Sequence, residues 1–237
     1  MLSSRNKTRI VIKLTGALFA KNADNIVIVK DIVAQIKQLS STYQFAMVIG
    51  GGSFFKGGTD GSRWQMRTDN AHQVGMLATI ANSLIFADLL EQAGLDVCIL
   101  SSLDVASFAQ LCTPQALRTA FDNDKLVIFA GGLGVPYFST DTAAVIRAAQ
   151  IGASCVWKAT NVAGVYLQDP HEDSQAVPVQ KISAQYALEH ALGVMDSTAY
   201  VIARDHKLPI RIFDAKVPHA FIKVAQDPEY ASTILPE

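Results

Sequence analysis

Short apolar runs recur at residues 9–14, 44–49, 96–100, 125–130, 154–157 and 209–213, each about the length of a β-strand. They read as continuous apolar stretches rather than as strict alternation, which is the pattern of strands buried on both faces. Between most of them, residues 26–39, 72–93, 140–150 and 196–206 carry apolar positions at helical spacing. Strand and helix therefore alternate as βαβ units do. This predicts an α/β fold, a three-layer αβα sandwich around a mostly parallel sheet. Residues 162–178 break the rhythm, with Gly164, Pro170 and Pro178 around a short Val165-Tyr166-Leu167, and read as a hairpin or lobe edge. No repeat or low-complexity linker divides the chain, so residues 1–237 read as one domain. If it has two lobes, of about residues 1–130 and 131–237, they meet near residues 126–140.

Composition narrows the function classes. Half of the 237 residues are apolar, enough for a full core. Lys plus Arg at 20 against Asp plus Glu at 21 leaves a net charge of −1, which excludes the global basic field of a non-specific nucleic-acid binder. Cys98, Cys112 and Cys155 are odd in number and widely spaced, as in a reducing compartment. Arg5, Lys7 and Arg9 precede an apolar stretch in the manner of a secretory signal, but Lys13 interrupts it, so the stretch reads as a first strand. No other segment approaches the roughly 20 apolar residues of a membrane span. The expectation is a soluble cytoplasmic protein with no membrane partner.

Two of the apolar runs end on lysine beside small residues, Ile12-Lys13-Leu14-Thr15-Gly16 and Trp157-Lys158-Ala159-Thr160. Either lysine alone is explained by an apolar stem lying along a strand end. Together with glycine loops they favour a shared anion, because ligands of open α/β sheets collect beyond the carboxyl ends of the strands. One such loop, Gly50-Gly51-Gly52-Ser53, follows the second run and lets backbone N–H groups approach an anion. A second, Gly131-Gly132-Leu133-Gly134, is followed by Ser139-Thr140-Asp141-Thr142 at a helix start. There Ser139 or Thr140 serves as an N-cap, and Asp141 either favours the helix dipole or positions a lysine or a hydrated Mg²⁺. The five histidines are scattered and no CxxC occurs, so no dedicated metal site is expected, and Mg²⁺ would arrive on a nucleotide.

These segments together resemble the bacterial UMP kinases (uridylate kinases) of the amino acid kinase superfamily over nearly the whole chain. The family's "KLSG" stands as Lys13-Leu14-Thr15-Gly16, its "GGGN" as Gly50-Gly51-Gly52-Ser53, and its "GMLAT" as Gly75-Met76-Leu77-Ala78-Thr79. "FTTD" corresponds to Phe138-Ser139-Thr140-Asp141, and "KATKVDGVY" to the nine residues from Lys158 to Tyr166, followed by Asp169. The resemblance implies transfer of the ATP γ-phosphoryl group to UMP in pyrimidine nucleotide biosynthesis, with Lys13, Lys158 and Asp141 catalytic. By it, ATP is held by Lys13, Leu14, Thr15, Gly16, Gly52, Lys56, Thr160, Tyr166 and Asp169. UMP is held by Gly51, His72, Leu133, Gly134, Val135, Pro136, Tyr137, Phe138, Ser139 and Thr140. It also implies Mg²⁺ with ATP, GTP and UTP as effectors, and a homohexamer. Wide apolar cover on the helix around Met76, Leu77, Ile80, Leu84, Ile85, Leu89 and Leu90 is consistent with a subunit interface.

Departures fall mainly on the acceptor side. Lys56 stands for an arginine, exchanging a bidentate fork for a point charge. The family acid before "GMLAT" falls on His72, or on Asp69 if the longer loop shifts the register. Leu133 and Val135 replace the threonine and asparagine of "GTGNPFFTTD", and Ala163 replaces the aspartate of "VDG". Alternatives to UMP phosphorylation are therefore a kinase for another small acid or nucleotide and a non-catalytic nucleotide-binding or storage protein. Fewer hydrogen-bonding groups around an acceptor predict weaker discrimination. Leu133→Thr with Val135→Asn should sharpen the preference for UMP; unchanged ratios of kcat/KM across nucleotides would contradict this.

Overall fold

The computed structural model describes residues 7–168 and 175–237. From the amino end the order is β1 (Thr8–Leu14), a 3₁₀ turn (Gly16–Phe19), α1 (Ala23–Leu39), β2 (Tyr43–Ile49), α2 (Gly57–Arg63) and α3 (Thr68–Gln92). β3 (Val97–Ser101), β4 (Gln110–Leu111), α4 (Pro114–Asp122), β5 (Leu126–Ala130), α5 (Thr140–Ile151) and β6 (Cys155–Thr160) follow. The chain closes with β7 (Lys181–Ser183), α6 (Ala184–Glu189), α7 (Ser197–Asp205), β8 (Ile210–Asp214), α8 (Ala220–Gln226) and β9 (Ser232–Leu235).

The nine strands of the described residues form one sheet in the order β4-β3-β5-β2-β1-β6-β8-β9-β7. Every pairing is parallel except β8 with β9, as expected for a mostly parallel sheet. From β1 the chain passes to β2 on one side, and only after β5 does it cross to β6 on the other. The β1/β6 boundary is thus a topological switch point, where a crevice opens beyond the strand ends.

Side chains of β1 and β6 alternate between two cores. Ile10, Ile12 and Leu14, with Cys155, Trp157 and Ala159, face the core shared with α1, α3 and α8. Val11 and Val156 face the opposite core, where Ala143, Ala144, Val145 and Ala148 of α5 pack. Three alanines on that face of α5 bring the helix close to the sheet. Lys13 and Lys158 share the parity of Val11 and Val156 and stand opposite each other in register. Strand periodicity alone therefore aims both ammonium groups toward the start of α5.

The six predicted strands and four predicted helices are all present, with ends shifted by a few residues. α4 went unread from apolar runs, although Thr113 accepts from Ala116 N, Pro114 opens the helix, and Ala116, Leu117, Ala120 and Phe121 form its buried stripe. An antiparallel bridge joins Val165, within the break at residues 162–178, to Val179 just beyond it. α3 is long and apolar enough by composition to cross a membrane. Its packing assigns it otherwise: Phe86 and Leu90 are fully buried in the core, and Phe86 meets Phe19 edge-on at 5.7 Å.

One tertiary cap has no local sequence signal. α8 starts after His219, which offers no side-chain cap, and its N–H groups are instead met by Gln35 of α1. Gln35 Oε1 accepts from Phe221 N at 2.8 Å and Ile222 N at 3.3 Å, while its amide nitrogen donates to Asp31 at 2.7 Å. Gln35→Leu keeps the volume but strands buried donors, so urea denaturation should show a loss of about 1–3 kcal/mol. An unchanged midpoint would refute the cap.

Candidate active site

Asp141 lies in the first turn of α5, whose N-cap Ser139 accepts from Asp141 N at 2.9 Å and Thr142 N at 3.2 Å. The cap and the helix dipole both favour a carboxylate at this position. Lys13 Nζ lies 2.9 Å from Asp141 Oδ1, an ion pair without hydrogen-bond alignment, and Lys158 Nζ donates to Oδ2 at 2.6 Å. One carboxylate thus bridges two ammonium groups from adjacent strands.

Burial pushes the Asp141 carboxyl up, but the Lys13 and Lys158 charges outweigh it and hold it below the usual carboxylate range. Lys158 moves the other way. Burial, with the like charge of Lys13, brings it down to about 8 despite Asp141. A lysine so displaced by desolvation and a specific neighbour marks a functional-site candidate.

The surroundings hold this triad from three sides. The Val194 carbonyl accepts a further hydrogen bond from Lys158 Nζ. Tyr200, buried and with its hydroxyl pushed up to about 12 by that burial, donates to Leu192 O at 2.9 Å and accepts from Met195 N at 3.3 Å, which shapes the strap carrying Val194. Asp196 caps α7 through Ala199 N and accepts from Thr142 Oγ1 at 2.6 Å and from Ser139 Oγ, tying α7 to the start of α5.

Glycine loops form the floor. A Cβ on Gly16 would sit 2.3 Å from Gly50 O and 2.4 Å from Gly52 N, so only glycine lets these two turns meet. The buried Asn82 donates to Gly50 O at 2.7 Å and accepts from Ser53 Oγ at 2.9 Å. Thr79 Oγ1 accepts from Gly131 N at 2.9 Å, so the polar residues of α3 secure both loops.

Two clefts open on either side of Asp141. The larger, about 620 Å³, is lined by Lys13, Thr15, Gly16, Gly51, Gly52, Lys56, His72, Val135, Tyr137, Phe138, Ser139 and Thr140 from the expected set. The smaller, about 500 Å³, is lined by Lys158, Thr160 and Tyr166. Leu14 is fully buried beneath the floor and meets the site through its carbonyl, which accepts from Gly50 N. Leu133, Gly134 and Pro136 do not line either cleft; Leu133 packs against the core, so of the two altered loop residues only Val135 faces the larger cleft. His72, and not Asp69, lines the larger cleft, with its ring 5.0 Å from that of Tyr137. Asp169 lies outside the described residues.

Sequence reasoning gave no site role to Asn161, Asn82, Asp196, Tyr200 or the Val194 carbonyl. Asp196-Ser197-Thr198 ahead of a helical run is a capping signal that could have drawn notice to Asp196. A carbonyl contact carries no sequence signal.

A sequence profile described as "Amino acid kinase family" matches residues 8–214. The uridylate kinase of Tropheryma whipplei (strain Twist) is 41% identical over 208 residues, covering 86% of this chain and 90% of that protein. Among solved structures, the UMP kinase from Ureaplasma parvum superposes with a TM-score of 0.90 at 30% identity, over 97% of this chain and 99% of that one. The UMP kinase from Bacillus anthracis gives 0.89 at 27% identity, over 97% and 96%. A profile match across most of the chain, with the lysine pair and glycine loops inside it, makes this protein a member of the amino acid kinase family.

Proposed function

We propose that this protein is a UMP kinase, a cytoplasmic phosphotransferase that uses Mg-ATP to convert UMP to UDP. The observation that carries the reading is the convergence of Lys13 and Lys158 on Asp141, at the wall between two clefts each large enough for a mononucleotide. The uridylate and UMP kinases it resembles supply the acceptor.

In this reading UMP occupies the larger cleft, and the nucleoside of ATP lies in the smaller one near Thr160 and Tyr166. An oxygen of the UMP phosphate attacks the γ-phosphorus. The bond from that phosphorus to the β–γ bridging oxygen breaks, and the oxygen leaves with its electron pair on ADP. The nucleophile is already anionic, so no strong base is needed. Positioning and charge stabilisation dominate such a loose transition state. Lys13 and Lys158 would bridge the transferring group, and the N–H groups of Gly16, Gly51 and Gly52 would bind flanking phosphates.

Mg²⁺ fits this donor set only as a nucleotide-borne ion. Among the described residues no cluster of three ligating side chains exists, and Asp141 is the one carboxylate lining the clefts. One carboxylate with substrate phosphates and water is an ordinary Mg²⁺ environment. Asp141 would orient the water shell, and the ion would neutralise phosphate charge. Self-association belongs to the same proposal, with Leu77, Leu84 and Ile85 of α3 and Ile26 and Val27 of α1 exposed as apolar cover for a second copy.

An ADP-release assay with Mg-ATP against UMP, CMP, dCMP, GMP and AMP should give turnover that depends chiefly on UMP. Lys13→Ala and Asp141→Asn should each lower kcat by about 10²-fold or more, the scale of one lost electrostatic stabiliser. Tight ATP binding without transfer to any acceptor would refute the reading. Because Lys158 must be charged to act and its pKa is brought down to about 8, kcat/KM should fall as pH rises through about 8. Lys158→Arg keeps the charge across that range and should remove the fall in the surviving activity. A wild-type profile flat through pH 8 contradicts the assignment.

A further inference from the structure

Only two residues among those described line both clefts, Asp141 and Asn161. Asp141 is committed to the two lysines. Asn161 is the first residue beyond β6. β1 and β6 are paired with Leu14 opposite Ala159, and Thr15 N donates to Ala159 O at 3.2 Å. Asn161 therefore leaves the sheet beside the Thr15–Gly16 turn, at the same switch point as the lysine pair.

Its side chain is exposed and uncharged. Thr160 Oγ1 donates to Asn161 Oδ1 at 3.3 Å, and the amide nitrogen has no hydrogen-bond partner among the described residues. A carboxamide with its oxygen engaged and its nitrogen free offers two N–H donors and no competing charge. Resting on the kinase reading above, we propose that Asn161 is a catalytic residue whose Nδ2 donates to the phosphoryl group while it passes from one cleft to the other. Lys13 and Lys158 supply charge from within the sheet, and Asn161 supplies a neutral donor from the loop side. In the ground state the γ-phosphate belongs to the ATP cleft and the acceptor phosphate to the other. A group at their common wall is placed to strengthen its contact as the transferring oxygens move between them, and such an interaction raises kcat more than it lowers KM.

The test is single-turnover transfer from ATP to UMP, with steady-state kcat and KM for both substrates, in wild type, Asn161→Ala and Asn161→Asp. Asn161→Ala should lower the transfer rate by about 10- to 100-fold, with both KM values changed by less than about threefold. Asn161→Asp keeps the shape, removes the donors and adds a negative charge, and should be slower still. A transfer rate in Asn161→Ala equal to wild type overturns the proposal and leaves the kinase reading standing. So does a rise in KM for one substrate at unchanged kcat, which would make Asn161 a wall of that cleft alone. Absence of transfer by the wild type itself overturns the kinase reading and this proposal with it.

Discussion

Two ammonium groups held side by side on neighbouring strands, inside the protein, constrain everything around them. Lys13 and Lys158 face each other in register on parallel strands, a spacing of about 4.8 Å between backbones. Like charges so close and so buried are unfavourable unless a carboxylate lies between them. Asp141 is that carboxylate, and it can reach both only because α5 lies close to the sheet. The alanines of α5, the Ser139 cap and the Asp196 bridge to α7 all serve that approach.

The charge sum gives the arrangement its chemistry. Among the described residues lining the clefts, Lys13, Lys56 and Lys158 against Asp141 leave a net positive charge in a crevice ringed by glycine turns and at the start of a helix. Each feature attracts phosphate, and the helix start adds its dipole. The structure separates tasks by side. α3 fixes the loops of the larger cleft through Thr79 and Asn82, whereas α7 and the Leu192–Asp196 strap fix Lys158 on the other. One wall of the larger cleft carries Val135, Tyr137, Phe138 and His72, with the His72 and Tyr137 rings 5.0 Å apart.

Much of this was legible in the sequence because it depends on short-range pattern. The apolar runs located the inner strands, and the lysines that end two of them beside small residues are the pair that meets at Asp141. The motif order then fixed the family. What stayed hidden depends on distance in sequence. β4, β7 and β9 are short edge or near-edge strands, two to four residues long, that carry little apolar signal. α2 opens on two glycines, which read as loop. Gln35 caps a helix 186 residues away, and only the folded register shows that Asn161 stands at the common wall of both clefts. Leu133 shows the converse limit: a motif position in a site loop can turn its side chain into the core.

The central claim is that Lys13 and Lys158 together hold the phosphoryl group in transit. A crystal structure with ADP, UMP and a planar metal-fluoride mimic of that group tests it most directly. The account predicts both Nζ atoms within about 3 Å of the mimic's fluorine or oxygen atoms, with Asp141 still contacting at least one of them. A mimic bound with either lysine turned away from it would contradict the account.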